Sequence, residues 1–125
     1  MNKRILIVDD EAGFTRLMAM NLEEAGNYEI KEVNDPAEAT RAIHFFKPDV
    51  CVLDILMPGK SGLQLAEEWM HDPRHSKVPI LFLTAAVSKD QPGLEHPLLE
   101  QHRVLVKPIR FDELLAAIED ALKSS

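Results

Sequence analysis

Four short apolar runs punctuate the chain: Ile5-Leu6-Ile7-Val8, Val50-Cys51-Val52-Leu53, Ile80-Leu81-Phe82-Leu83 and Val104-Leu105-Val106. They are rich in branched residues and lack polar alternation, the pattern of parallel strands covered on both faces. A fifth run, Tyr28 to Val33, is interrupted by Glu29, Lys31 and Glu32, which predicts an edge strand with one wet face.

Helical spacing fills the intervals. Phe14, Leu17, Met18, Leu22 and Ala25 fall on one face, with Gly26 following as a stop. Asp35 can cap and Pro36 can open a second helix whose stripe is Ala39, Ala42, Ile43 and Phe46. Ser61 and Gln64 have the spacing of a capping box for a third helix running through Met70. Phe111, Leu114, Leu115, Ile118, Ala121 and Leu122 give a strongly amphipathic final helix. Between Val87 and His102, Pro92-Gly93 and Pro97 break the pattern, so the fourth helix is expected to be short or irregular. Strands alternating with helices predict an α/β fold. The expected arrangement is a (βα)5 doubly wound, flavodoxin-like parallel sheet of five strands in the order 2-1-3-4-5, with right-handed crossovers.

Composition narrows the function classes. The 125 residues are 46% hydrophobic, enough for one self-sufficient core, and the reading is a single domain over 1–125. Fourteen basic against 21 acidic residues give a net charge of −7, which disfavours direct nucleic-acid binding. No segment approaches the roughly 18 apolar residues of a membrane span. The lone Cys51 cannot form an internal disulfide, and the apolar run after Ile5 is too short for a signal peptide, so a cytoplasmic location is expected.

The candidate chemistry lies where apolar runs stop. Val8 gives way to Asp9-Asp10, Leu53 to Asp54, Leu83 to Thr84 and Val106 to Lys107. In an open parallel sheet these positions converge on one edge, and ligands bind at the switch point between the first and third strands. Asp9, Asp10 and Asp54 flank that point. Carboxylates about 4 Å apart repel by roughly 4 kcal/mol per pair at an effective dielectric near 20, so they call for a cation. Oxygen-only donors suit Mg²⁺ better than zinc. With Lys107 adding positive charge, the site suits phosphoryl oxygens, with a carboxylate as nucleophile and Thr84 within reach as a hydrogen-bond donor.

In Asp9-Asp10, Asp54-Ile55-Leu56-Met57-Pro58-Gly59-Lys60-Ser61-Gly62, Thr84-Ala85 and Lys107-Pro108, the chain resembles the receiver domain of two-component response regulators. The resemblance spans nearly the whole chain. It implies that Asp54 accepts a phosphoryl group from a phosphohistidine on a histidine kinase or phosphotransfer protein. It further implies Mg²⁺ held by Asp9, Asp10, Asp54 and the backbone carbonyl of Leu56, Lys107 paired with the phosphoryl group, and Thr84 moving toward it as a switch. The Lys107-Pro108 bond resembles the family's cis peptide. Such a domain catalyses its own phosphorylation and slow dephosphorylation and turns over no external metabolite. Its output would pass to a partner protein or to a C-terminal effector domain beyond this chain, and a phosphorylation-linked dimer is compatible with the family.

Two departures stand out. Receiver domains commonly carry Tyr or Phe three residues before the lysine, where this chain has Val104. Leu56 and Ala86, at positions that modulate phosphoryl lifetime in the family, are apolar and cannot orient an attacking water. Among alternatives, a phosphorylation-independent scaffold of the same fold would recognise partners through the segment from Pro92 to Pro97. A haloacid-dehalogenase-type hydrolase would require an Asp-x-Asp pair and a cap domain. A flavodoxin would require a Ser/Thr/Gly-rich first loop, where Asp9-Asp10-Glu11 would repel a flavin phosphate.

The remaining polar and sulfur residues read as structural. Glu11 is expected in the first helical turn, outside the site; an N-cap is the alternative role for Asp9 or Asp10, and one of them can serve both purposes. The five histidines are expected to be solvated, and Trp69 and the methionines to pack helices.

Overall fold

The computed structural model describes residues 2–85 and 97–124. Five parallel strands, β1 (Lys3–Val8), β2 (Tyr28–Val33), β3 (Val50–Asp54), β4 (Ile80–Thr84) and β5 (Arg103–Val106), form one sheet in the order β2-β1-β3-β4-β5. The helices are α1 (Ala12–Ala25), α2 (Ala39–Phe46), α3 (Gly62–Met70), α4 (Pro97–Gln101) and α5 (Phe111–Ser124). Each interior strand is two-sided: Leu6, Val8, Cys51, Leu53 and Phe82 join the core under α2 and α3. Ile5, Ile7, Val50, Val52, Leu81 and Leu83 join the core under α1 and α5. That division explains the unbroken apolar runs, because both faces of β1, β3 and β4 are covered.

β2 is the expected edge strand, with alternating exposure. β5 departs from expectation: it occupies the other edge, and Val106 is 47% exposed, so the run Val104–Val106 is not covered on both faces. The polarity of the run could not reveal this, since an apolar residue at an edge costs little. α1 also corrects the reading. Met18 and Leu22 are buried together with Thr15 and Ala19, while Leu17 lies in solvent. Gly26 ends α1 in an extended conformation rather than a left-handed one.

Asp35 accepts a hydrogen bond from the Ala37 amide and caps a single 3-10 turn, Pro36–Glu38, which leads into α2. Ser61 and Gln64 form the full reciprocal capping box at α3. α4 is short, five residues without a fully buried side chain. Residues 86–96 lie outside the described residues, and with them Ala86, Pro92-Gly93 and His96. Trp69 is buried in α3, where its indole N–H donates to Thr40 Oγ1 at 3.0 Å.

His75 is not solvated as expected. It is 5% exposed behind α2, its ring edge-on to His44 with centroids 5.9 Å apart, and its Nε2 has no hydrogen-bond partner. Pro73 ends the α3 spacing, but the turn 72–76 folds back and carries His75 inward, a tertiary event that spacing does not show.

Candidate functional site

The acidic residues meet at the carboxyl edge of the sheet because β1 and β3 are neighbours in parallel register, Val8 opposite Leu53. Asp9 follows β1 and Asp54 ends β3, both fully or almost fully buried, while Asp10 is exposed. One carboxylate oxygen from each of Asp9, Asp10 and Asp54 lies within 4.8 Å of the others. Among the described residues this is the one such cluster of potential metal ligands.

The loops that hold these carboxylates are themselves pinned. Asp9 receives a hydrogen bond at its carbonyl from Asn34 Nδ2 (2.8 Å), which also donates to Thr15 Oγ1 (2.9 Å). The Asp9 amide donates to Val33 O at 3.0 Å. Beyond β3, the Ile55 amide donates to Leu83 O (2.8 Å) and the Gly62 amide returns to Ile55 O (2.9 Å), closing the loop that carries Leu56. The Leu56 side chain is 56% exposed, and its backbone amide favours the ionised form of the Asp54 carboxyl.

Lys107 reaches in from the end of β5, its amide bonded to Thr84 O at 2.8 Å. Its Nζ lies 2.5 Å from Asp9 Oδ2, 2.9 Å from Glu11 Oε1 and 3.9 Å from Asp54 Oδ2, and 4.7 Å from the centre of the Phe14 ring. The Lys107–Pro108 peptide is cis. Thr84 ends β4 and is buried beside this edge.

Two of these contacts correct the sequence reading. Glu11 is not in the first helical turn: it is the residue before α1, and its carboxylate belongs to the site through Lys107. Neither Asp9 nor Asp10 is the N-cap; Asp9 Oδ1 instead accepts the Glu11 amide at 2.9 Å. Asn34, which positions Asp9, was visible in sequence only as a polar residue after an edge strand. Its role depends on the β1–β2 pairing.

The electrostatics follow from crowding. Burial, aided by the charges of Asp9 and Asp10 and opposed by Lys107 and the Leu56 amide, pushes the Asp54 carboxyl up to about 7. Burial also raises Asp9, against the hydrogen bonds from Lys107 and the Glu11 amide. Burial works to lower the Lys107 ammonium, but its bonds to Asp9 and Glu11 and the charge of Asp54 outweigh it and hold the group above its ordinary value. A single ammonium therefore faces more negative charge than it can balance. A hard divalent cation with oxygen ligands fits that deficit, and the clustered carboxylates are the donors it would use.

Comparison with known proteins agrees with this geometry. The model of the response regulator receiver domain matches residues 5–119. The phosphate regulon transcriptional regulatory protein PhoB of Pseudomonas aeruginosa is 37% identical over 125 residues, covering 98% of this chain and 53% of that protein. The alkaline phosphatase synthesis transcriptional regulatory protein PhoP of Bacillus subtilis is 35% identical over 132 residues, covering 100% of this chain and 50% of that protein. The chain thus spans about half the length of these curated relatives. Among solved structures, the Vibrio cholerae chemotaxis protein CheY4 superposes with a TM-score of 0.82 at 26% identity, covering 98% of this chain and 100% of that one. The receiver domain of a signal transduction histidine kinase from Syntrophus aciditrophicus gives 0.85 at 25% identity, covering 98% and 91%. With a strand order, an acidic edge and a matched segment that all coincide, this chain belongs to the response regulator receiver domain family, whose members are phosphoacceptor signalling domains rather than metabolic enzymes.

Proposed function

We propose that Asp54 is the phosphoacceptor, that Asp9, Asp10, Asp54 and the Leu56 carbonyl hold Mg²⁺, and that Lys107 and Thr84 meet the incoming phosphoryl group. The observation that carries this is the convergence of three carboxylates and one ammonium at the end of β1, β3 and β5, with Asp54 both buried and raised to about 7. When bound, Mg²⁺ supplies positive charge that favours the ionised carboxylates and screens their repulsion of an anionic donor.

The residues of the chain divide the remaining work. An oxygen of Asp54 forms the new bond to phosphorus as the bond to the donor nitrogen of a phosphohistidine breaks, and the electron pair leaves with the imidazole. Lys107, 3.9 Å from Asp54, is close enough to shift toward the phosphoryl oxygens. The Thr84 hydroxyl donates to the same group and links it to β4. A change of position at Thr84 biases an existing conformational equilibrium and with it the affinity for an output partner.

The donor is a histidine kinase or phosphotransfer protein. Output passes through contact with a partner protein, with an effector domain attached to the receiver, or with a second phosphorylated copy, and not through direct nucleic-acid binding by 1–125, which is a single receiver domain. The setting is the cytoplasm; no helix among the described residues is long and apolar enough to cross a membrane.

Intact-mass spectrometry after incubation with acetyl phosphate tests the central step. One phosphoryl adduct is expected with Mg²⁺, with little in its absence and none in Asp54→Asn. An unmodified parent chain, or an adduct that survives in Asp54→Asn, rejects the assignment.

A further inference from the structure

We infer that Glu11 is a positioning residue that holds Lys107 toward Asp9 and away from Asp54, so that transfer of a phosphoryl group to Asp54 requires Lys107 to be drawn off Glu11. The inference rests on the acceptor role proposed for Asp54.

Lys107 Nζ has three protons to donate. Asp9 and Glu11 take two of them at 2.5 and 2.9 Å, while Asp54 Oδ2, at 3.9 Å, is beyond hydrogen-bond reach. The Phe14 ring, 4.7 Å away and three residues past Glu11 at the start of α1, adds a cation–π contact. The start of α1 therefore presents two attractive groups to the ammonium, Glu11 at hydrogen-bond distance where Asp54 is not.

The placement of Glu11 is not a free side chain's choice of partner. Its amide is tied to Asp9 Oδ1, and its carbonyl accepts the amides of Phe14 and Thr15 at 3.1 and 3.2 Å. With its backbone held on both sides, a carboxylate that is 64% exposed is nevertheless turned inward onto a lysine that is 11% exposed. An acidic residue that merely favoured the helix dipole would face water.

During transfer from acetyl phosphate, an Asp54 oxygen bonds to phosphorus as the bridging P–O bond breaks, and the electron pair leaves on acetate. Charge on the phosphoryl oxygens then competes with Glu11 for Lys107. Charge-assisted bonds to those oxygens form at about 2.7–2.9 Å, so they draw Lys107 from its present partners toward the group on Asp54. That movement lengthens the bond to Glu11, an interaction of the strength of an exposed ion pair, and removing it should raise the rate about two- to fivefold.

The test is the time course of phosphorylation of the full chain by acetyl phosphate at saturating Mg²⁺, across donor concentrations, for the parent, Glu11→Gln and Glu11→Ala. The expected result is a maximal rate about two- to fivefold higher in both variants, with the half-saturating donor concentration unchanged. The time course is repeated at about 0.5 M salt, where repulsion between an exposed charge and an anionic donor is screened. A gain confined to the half-saturating concentration and erased by salt would assign Glu11 to simple charge repulsion and overturn the positioning role. Equal or slower maximal rates overturn it as well while Asp54 remains the acceptor. A parent chain that takes no phosphoryl group removes the acceptor reading and this one together.

Discussion

Gly62 lies directly against the backbone of Asp54: a β carbon at position 62 would come within 2.1 Å of the Asp54 carbonyl oxygen and 3.1 Å of Leu53 Cγ. The first residue of α3 is thus packed onto the strand end that carries Asp54, the proposed acceptor. Neither partner can yield cheaply, because one is main chain in the sheet and the other begins a helix fixed by the Ser61–Gln64 capping box. Gly62→Ala is expected to destabilise the fold by about 1–3 kcal/mol and to slow phosphorylation by displacing Asp54. Gly13→Ala, in open space near the start of α1, is the control and should be neutral or stabilising by up to about 1 kcal/mol. Urea unfolding of both variants checks the contrast; equal effects would mean that the contact at Asp54 is not what constrains position 62.

The raised Asp54 carboxyl makes stability depend on pH in a definite direction. Its ordinary value is 3.8 and its value in the metal-free fold is about 7, so between those limits the folded chain keeps a proton that the unfolded chain releases. The contribution of this group to stability is therefore full below about pH 4, declines as pH rises and is lost above about pH 7. Asp9 is raised too and acts in the same direction. Asp54→Asn removes the cost of burying the ionised group. The variant should exceed the parent by a margin that grows from pH 4 to pH 7 and levels off near pH 8, on the order of a few kcal/mol. Mg²⁺ should narrow the margin at pH 8 by stabilising the parent's carboxylates, and do little at pH 5. Urea titrations at several pH values, with Mg²⁺ and with a chelator, read this directly; a margin independent of pH would reject the raised value.

Most of this arrangement was legible in the sequence because its signals are local. The Ile5–Val8, Val50–Leu53 and Ile80–Leu83 runs predict covered strands, and the switch from apolar to polar residue at Asp9, Asp54, Thr84 and Lys107 marks the strand ends where the candidate site gathers. The Ser61–Gln64 box is encoded within four residues and forms as read. What stayed hidden depends on partners far along the chain. Glu11 faces Lys107 across 96 positions, and Asn34 reaches Asp9 across 25. His75 is buried by a turn that packs on α2, whereas its neighbours in sequence, Asp72 and Arg74, pair with each other near the surface. Periodicity reports which face of an element is apolar, and it is silent about which polar side chain another element will capture.

Leu56 carries the last prediction, which concerns how long Asp54 would stay phosphorylated. Hydrolysis requires a water in line with the phosphorus and a polar group to hold it there. Leu56 sits two residues past Asp54 with its side chain 56% exposed, so at that position the loop offers contact area but no donor or acceptor. The aspartyl phosphate should therefore decay slowly, with a half-life of minutes or longer. Leu56→Asn and Leu56→Glu place a polar group at the same exposed point and should shorten the half-life several-fold. Their effect on folding should be small, since surface substitutions usually lie within about 0.5 kcal/mol. Decay of the phosphoryl adduct followed by intact mass after removal of the donor measures this. A parent half-life of seconds would show that water is oriented by another group, and Leu56 would then have no part in setting the duration of the signal.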